Sequence, residues 1–467
     1  MMLTRRSLLS GAGAWGARRK PNIVLLMADD QRPDTIHALG NRLIRTPNLD
    51  RLAREGTAFT RATCTNPVCV ASRAELITGA TSFRNHVPLR SNRLNPALAL
   101  WPDVLRRNGY DTCYSGKWHH DGRPADKGFT STAGLYTGGG GRFATPQKDW
   151  KGREVTGYRG WVFESEDGRP QPELGVGLTP GISATIADAA CRYLRSRGDK
   201  PYFLQVSFTA PHDPLLYPPG FEKMYEAAAM PLPRNFLPQH PFDHGNLRGR
   251  DELLMTFPRT GREVREELAC YYAVISHLDA QVGRILDTLR ETGQEDETIV
   301  IYTSDNGLAI GSHGLRGKQN MYEHSVNVPL ILRGPGIARG LRTEAQVYLR
   351  DLFPTMCEAA GIAVPATVSG KSILPVLTRR AKSIRDEVYC YFGGVQRMIR
   401  TERWKFTWYP KINREQLFDL RNDPFELDDR IGDAGARPIA SRLRGRLREW
   451  LRGESDPVLA GEVEPGR

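Results

Sequence analysis

Asn22-Ile23-Val24-Leu25-Leu26-Met27-Ala28 runs straight into Asp29-Asp30. From Ile23 to Ala28 every side chain is apolar. A strand with one wet face alternates apolar and polar residues, whereas a continuous apolar run is expected of a strand covered on both faces by helices. The two acids then mark its C-terminal end. Consecutive strand residues point to opposite faces, so both carboxylates can converge on one point only if the backbone turns there.

The segments that follow support the same architecture. A helix is predicted from about Pro47, with Pro in its first turn, Leu49, Leu52 and Ala53 on one face, and Gly56 at its end. Another is predicted to begin near Ser72 and to end at Gly79. Residues 182–197 carry helical spacing in Ile182, Ile186, Ala189, Ala190, Tyr193 and Leu194, and a strand Tyr202–Phe208 follows. A long helical stretch near 263–291 precedes a strand Thr298–Thr303. Helices alternating with strands predict an α/β fold with a large, mostly parallel sheet sandwiched by helices. In such sheets ligands bind outside the C-terminal ends of the strands. Polar clusters follow four candidate strands: Asp29-Asp30, Lys117-Trp118-His119, Pro211-His212 and Asp305-Asn306.

From about residue 385 the pattern changes. Val388–Phe392, Met398–Arg400, Lys405–Trp408 and Gln416–Leu420 read as short strands between turns, a smaller antiparallel sheet. A terminal amphipathic helix near 437–452 carries Ile439, Leu443, Leu447 and Leu451 on one stripe. The expected organisation is a leader over 1–20, an α/β catalytic domain over 21–375 and a C-terminal α+β subdomain over 376–467. Two phosphate-loop look-alikes carry nothing. The run Gly138 to Gly141 lacks a following Lys-Ser/Thr, and Gly370-Lys371-Ser372 has Pro365 where the earlier glycine belongs.

Composition bounds the function. The 467 residues are 40% hydrophobic and 25% charged, an ordinary globular balance. No apolar run approaches the roughly 20 residues needed to span a bilayer, so stable membrane insertion is not expected. The formal charge of +12 would attract anionic substrates. No recognition helix, RNA-binding motif or dense basic stripe points to nucleic acid. Seven cysteines scattered over the chain form neither a disulfide framework nor CxxC zinc pairs. Thr4-Arg5-Arg6-Ser7-Leu8-Leu9, followed by a Gly- and Ala-rich stretch to Ala17, resembles a twin-arginine export signal and predicts a periplasmic or extracellular protein.

Asp305-Asn306-Gly307 ends a second strand in the manner of Asp29-Asp30. Three carboxylates and one amide make an all-oxygen donor set, suited to Ca²⁺ or Mg²⁺ and not to zinc or copper.

Cys69-Val70-Ala71-Ser72-Arg73-Ala74-Glu75-Leu76-Ile77-Thr78-Gly79 resembles the signature of the type I sulfatases of the alkaline phosphatase superfamily. That signature is Cys or Ser, any residue, Pro or Ala, Ser, Arg, then a Leu-Thr-Gly helix. The resemblance extends over roughly residues 21 to 430. It takes in Thr46 to Leu52, Gly116-Lys117-Trp118-His119, Ala210-Pro211-His212-Asp213-Pro214, Ser304 to Gly307, Gly311 to Gly314, Lys318, Leu417 to Leu420 and Asp423 to Glu426.

The resemblance implies that a maturation enzyme oxidises Cys69 to formylglycine (3-oxoalanine), which hydrates to a gem-diol. It implies that Asp29, Asp30, Asp305, Asn306 and the modified Cys69 hold a divalent cation, most often Ca²⁺, with Mg²⁺ as the alternative. Arg73 would orient the diol, Lys117 and Lys318 would bind sulfate oxygens, and His119 would take a proton when sulfate is expelled. His212 would contact the ester and act as general acid for the departing alcohol. His119 is preferred to its neighbour His120 because it fits the motif, and His313 either supports the site or is structural. Ala71 stands where many members have Pro.

The substrate would be a sulfated small molecule or saccharide. Asp30-Gln31-Arg32-Pro33-Asp34 and the aromatic residues Trp150, Tyr158 and Trp161 would suit a sugar. A phosphonate or phosphate ester hydrolase, or a non-catalytic anion-binding relative, would share most of these residues, since sulfur and phosphorus esters need similar anion clamps.

Overall fold

The computed structural model describes residues 19–89 and 91–460, so the predicted leader lies almost wholly outside the described residues. Asn22–Ala28 is a strand and is buried along its whole length. It pairs in parallel with Thr298–Ser304 on one side and with Tyr202–Ser207 on the other. Its alternate side chains enter two separate cores. Val24, Leu26 and Ala28 pack with the helices Ile182–Arg195 and Gly261–Glu291. Ile23, Leu25 and Met27 pack with residues such as Leu76, Ile77, Trp101 and Phe353. A strand flanked by two helical layers has no wet face, which is why its sequence shows no alternation.

The sheet has eleven strands among the described residues. Its centre is parallel, in the order Thr298–Ser304, Asn22–Ala28, Tyr202–Ser207, Asp111–Lys117, Ser131–Thr137. Both flanks turn antiparallel. Asn327–Arg333 pairs antiparallel with Thr298–Ser304 and with Thr57–Thr63, and Val162–Glu164 pairs antiparallel with Ser131–Thr137. The opening strand therefore has neighbours from distant parts of the chain on both sides, and all the central C-terminal ends meet at one edge. This is the place where α/β sheets bind ligands.

The helix predicted from Ser72 instead spans Cys69–Thr78. Val68 is extended, and Gly79 closes the helix in the left-handed conformation at φ +65°. Cys69 is thus the first helical residue, and Arg73, four residues on, lies on the same face.

The four C-terminal strands are Glu387–Phe392, Gln396–Thr401, Trp404–Tyr409 and Arg414–Asp419, antiparallel in sequence order. The helix Arg437–Gly453 lies against them, with Leu443, Leu447 and Leu451 packed on Ile399, Phe406 and Leu417. Each such buried leucine contributes roughly 1.5–3 kcal/mol by leaving water. Ile439, predicted on the same stripe, is only half-buried, and Ala440 takes the inward position.

Candidate active site

Four strand ends and one helix start bring the functional side chains together. After Ala28 the chain turns: Asp30 has φ +69°, a left-handed conformation uncommon for residues other than glycine. The turn is held from three sides. The Asp30 N–H donates to Asp305 Oδ1 at 3.2 Å, the Asp30 carbonyl accepts from the Tyr271 hydroxyl at 2.5 Å, and the Gln31 N–H donates to Ser304 Oγ at 2.9 Å. This strain is the device by which two consecutive acids face one point.

Two glycines allow close approach nearby. A Cβ on Gly116 would lie 2.1 Å from the Ser207 carbonyl oxygen, and one on Gly307 would lie 2.0 Å from that of His324. Gly116 also sits at φ +82°. Lys117 and Asn306, one residue away from each, depend on these approaches for their positions.

The Cys69 thiol lies 3.1 Å from Asp29 Oδ1, 3.7 Å from Asp30 Oδ1 and 3.0 Å from Lys318 Nζ. Lys318 Nζ also bridges both Asp30 oxygens, at 2.7 and 2.8 Å. Lys117 Nζ pairs with Asp29 Oδ2. Arg73 donates Nε to Asp305 Oδ2 at 2.9 Å and approaches Asp29 with Nη2 at 3.6 Å. Asn306 Nδ2 donates to Asp30 Oδ1 at 2.5 Å. His212 Nε2 lies 3.6 Å from Asp30 Oδ2, and its Nδ1 lies 2.7 Å from the Asp213 carbonyl oxygen. An Nδ1–H donating to that carbonyl leaves Nε2 turned to the cluster. Asp213 is itself held by Arg250 and, at 3.6 Å, by Arg316.

His119 lies beside the cluster with its ring edge-on to Trp161 and its Nδ1 buried without a partner. His120 turns away, packing edge-on against Trp118. His313 is not at the site: it stacks on Tyr322 at 3.8 Å, and its Nε2 meets the Asn235 amide.

The electrostatics follow from burial. Three carboxylates, Asp29, Asp30 and Asp305, are fully buried with three cations, Lys117, Lys318 and Arg73, so the cluster pairs its charges internally. Buried charges persist only when so paired. Burial alone would raise the Asp29 carboxyl, but Lys117, His212, Arg73 and Lys318 together hold it well below the usual range. Asp305 is pushed up to about 6 by burial and by the Asp29 charge. Burial, with Asp29 and Asp305, drives the Cys69 thiol well above its ordinary value. Burial, with Lys117 and Arg73, keeps His119 neutral.

The donor set fits a hard divalent cation. Atoms of Asp29, Asp30, Cys69 and His212 lie within 4.8 Å of one another. Asn306 Oδ1 is buried beside them with no hydrogen-bond partner, as are Nη1 and Nη2 of Arg73. Orphaned buried polar atoms signal a missing partner. An oxygen acceptor without a donor suits a cation, and guanidinium N–H groups without an acceptor suit an anion.

Sequence reasoning undervalued one residue. Tyr158, read only as an aromatic that suits a sugar, donates its hydroxyl to Asp29 Oδ2 at 2.8 Å and sets its ring edge-on to His212 at 5.0 Å. It reaches the cluster from a loop 129 positions away, and no local pattern announces that. Conversely, Gln31 and Arg32 are unsuited to the sugar contact expected of them. Gln31 is fully buried and bonds to Thr35 and Tyr302. Arg32 is spent on Asp34 and the Ala309 carbonyl. Trp150 packs against Tyr217.

Comparison with known proteins places this geometry. A family model described as "Sulfatase" matches residues 21–362, and one described as "N-sulphoglucosamine sulphohydrolase, C-terminal" matches residues 311–452. An arylsulfatase of Clostridium perfringens is 30% identical, over 95% of this chain and 96% of its own length. Among solved structures, a protein in complex with its substrate D-glucosamine-2-N,6-O-disulfate superposes with a TM-score of 0.78 at 24% identity, covering 94% of this chain and 99% of that one. The phosphonate monoester hydrolase of Agrobacterium radiobacter superposes with a TM-score of 0.74, also at 24% identity, covering 94% and 97%. At that identity the two structures speak to the fold alone.

Proposed function

This chain belongs to the sulfatase family, in the alkaline phosphatase superfamily, and is a sulfuric ester hydrolase; we propose that it acts on a carbohydrate sulfate through a Cys69-derived formylglycine and a bound Ca²⁺ or Mg²⁺. The observation that carries this reading is the setting of Cys69, first in its helix and touching Asp29, Asp30 and Lys318. The hydrated aldehyde supplies one hydroxyl to attack sulfur and a second whose deprotonation releases sulfate. Asp29, Asp30, Asp305, Asn306 and the modified Cys69 would hold the cation, which would supply positive charge to polarise the ester and to acidify the attacking hydroxyl.

The remaining roles belong to the chain. Arg73, with two N–H groups unpartnered, orients the nucleophile. Lys117 and Lys318 turn to the sulfate oxygens once the carboxylates are neutralised otherwise, acting as compact point charges. His119, neutral and partly buried, accepts the proton of the second hydroxyl. His212, oriented through Nδ1, delivers a proton from Nε2 to the leaving alcohol. Tyr158 and Asp213 are positioning residues, the first for Asp29 and the second for His212.

A saccharide substrate is supported by Tyr158 and Trp161, two aromatic side chains beside the cluster, packed edge-on to His212 and His119. The reading takes the chain as a leader over 1–20, a catalytic unit over 21–375 and a C-terminal unit over 376–467. Maturation by a formylglycine-generating enzyme and a periplasmic or extracellular location complete the reading. No described helix is long and apolar enough to cross a membrane.

Asp30→Ala should lose most bound metal and most turnover together, and exhaustive chelation should do the same to the wild-type protein. A rate that survives chelation would remove the cation from the mechanism.

Sulfur and phosphorus esters need similar anion clamps, so the buried Lys117, Lys318 and Arg73 favour one second reading, hydrolysis of a phosphorus ester. A side-by-side assay of nitrophenyl sulfate and a nitrophenyl phosphonate monoester decides. The sulfate should be the better substrate by kcat/KM, and the reverse order would favour the phosphonate reading.

A further inference from the structure

At the edge of the main sheet the structure forms a groove that shares no residue with the catalytic cluster. It is an open cavity of about 830 Å³ between residues 341–346, 376–387, 401–404 and 421 and the terminal helix at Arg442 and Arg446. The strand Leu341–Thr343 on its wall pairs with Thr57–Phe59, the start of the strand that runs on toward Cys69. The groove therefore runs beside that strand from Thr57 to about Arg61, and none of its lining residues belongs to the catalytic cluster.

Cationic side chains in the lining outnumber acidic ones by eight to four. Most of the acids are already engaged. Glu387 pairs with Arg446 at 2.9 Å, Glu402 with Arg421 at 2.8 Å, and Glu344 meets Arg61 at 3.9 Å. Arg342, Arg379, Lys382 and Arg442 are exposed and pair with no carboxylate among the described residues. Arg342 and Arg379 donate only to backbone carbonyls, those of Leu39 and Arg339. Four unpaired cations on the rim of one concave surface create a local positive field, and a concave wall focuses it.

We propose that this groove is an accessory binding site for a polysulfated saccharide chain, which it holds by its sulfate groups while the active site works elsewhere. The saccharide identity of the occupant rests on the carbohydrate-sulfate reading of the active site. The anionic character of the occupant rests on the groove alone. Each sulfate–cation contact at such a surface is weak and screened by salt, so affinity must come from several contacts at once. A chain bearing sulfates at a repeating spacing provides them, and a single small sulfate ester does not.

The test uses the full chain and a fluorescently labelled short heparin fragment, read by anisotropy across a salt series. The Lys382→Glu/Arg442→Glu double variant should bind it at least about tenfold more weakly, with the salt slope reduced by about 2. Both side chains are exposed, so the melting temperature and kcat/KM on nitrophenyl sulfate should stay at wild-type values. Cys69→Ala should bind the fragment as the wild type does. The proposal falls if the wild type shows no salt-dependent binding, if the double variant binds equally well, or if Cys69→Ala abolishes binding, which would put the fragment in the active site. An oligodeoxynucleotide of equal charge that binds as tightly as heparin would also overturn the saccharide assignment. Because nitrophenyl sulfate reports on the catalytic cluster separately, failure here and failure of the active-site reading are distinguishable.

Discussion

A Cys69→Ala variant is expected to fold and to have lost turnover. Alanine is compatible with the first turn of a helix, and the side chain it replaces is small and 4% exposed, so the Cys69–Thr78 helix should persist. On the proposed mechanism, what disappears is the nucleophile. Removal of a nucleophile from a working constellation typically costs on the order of 10⁴–10⁶ in kcat. Lys318, Asp29 and Asp30 remain but have nothing to activate. The measurement pairs kcat on nitrophenyl sulfate with the mass of the wild-type peptide containing Cys69, which should carry an aldehyde in place of the thiol. Full activity with an unmodified thiol, or turnover by the alanine variant, would sink the formylglycine assignment. Ala71, two residues on, makes the same peptide a direct readout of whether the host matures this version of the motif.

The second large effect is expected at His212, and its size should depend on the substrate. The Asp213 carbonyl and carboxylate fix the ring through Nδ1, and Arg250 and Arg316 fix Asp213 in turn. Nε2 is thereby aimed at the cluster, 3.6 Å from Asp30 Oδ2. A positioned acid contributes roughly 10²–10⁴-fold, and only where the leaving group needs a proton. His212→Ala should therefore lose about that factor in kcat/KM on a sugar sulfate, whose alkoxide is a poor leaving group. On nitrophenyl sulfate, which departs as a stable phenolate, the loss should be far smaller. Equal penalties on the two esters would retire the general-acid role and leave His212 as a sulfate-positioning residue.

Most of the fold's centre could be read from the chain. The apolar run before Asp29 announces a strand with two covered faces, and the structure buries all seven residues between two helical layers. The helices over 47–55, 182–195 and 261–291 follow their apolar periodicity. The antiparallel flanks of the sheet were not legible in the same way. Asn327–Arg333 and Thr57–Thr63 are mostly buried like the central strands, and orientation is set by which edge a strand reaches, not by its composition.

The candidate site divides along the same line. Asp29, Asp30, Lys117, His212 and Asp305 stand in short polar motifs that follow strands, so the sequence by itself nominated them, whereas Cys69 and Lys318 were nominated by the resemblance to a family signature. The pairing of Lys117 with Asp29 and of Lys318 with Asp30 was decided only by the tertiary structure. So was the reach of Tyr158 across 129 positions to Asp29, and the engagement of Gln31 with Thr35 and of Arg32 with Asp34 and the Ala309 carbonyl. The basic groove belongs to the tertiary structure entirely. Its unpaired cations come from segments around 342, 379–382 and 442, far apart along the chain, and only the docking of the terminal helix beside the sheet edge sums their fields. Charges add in space with a range of about 8–10 Å, whereas a motif adds along the chain, so composition and spacing can report the second and not the first.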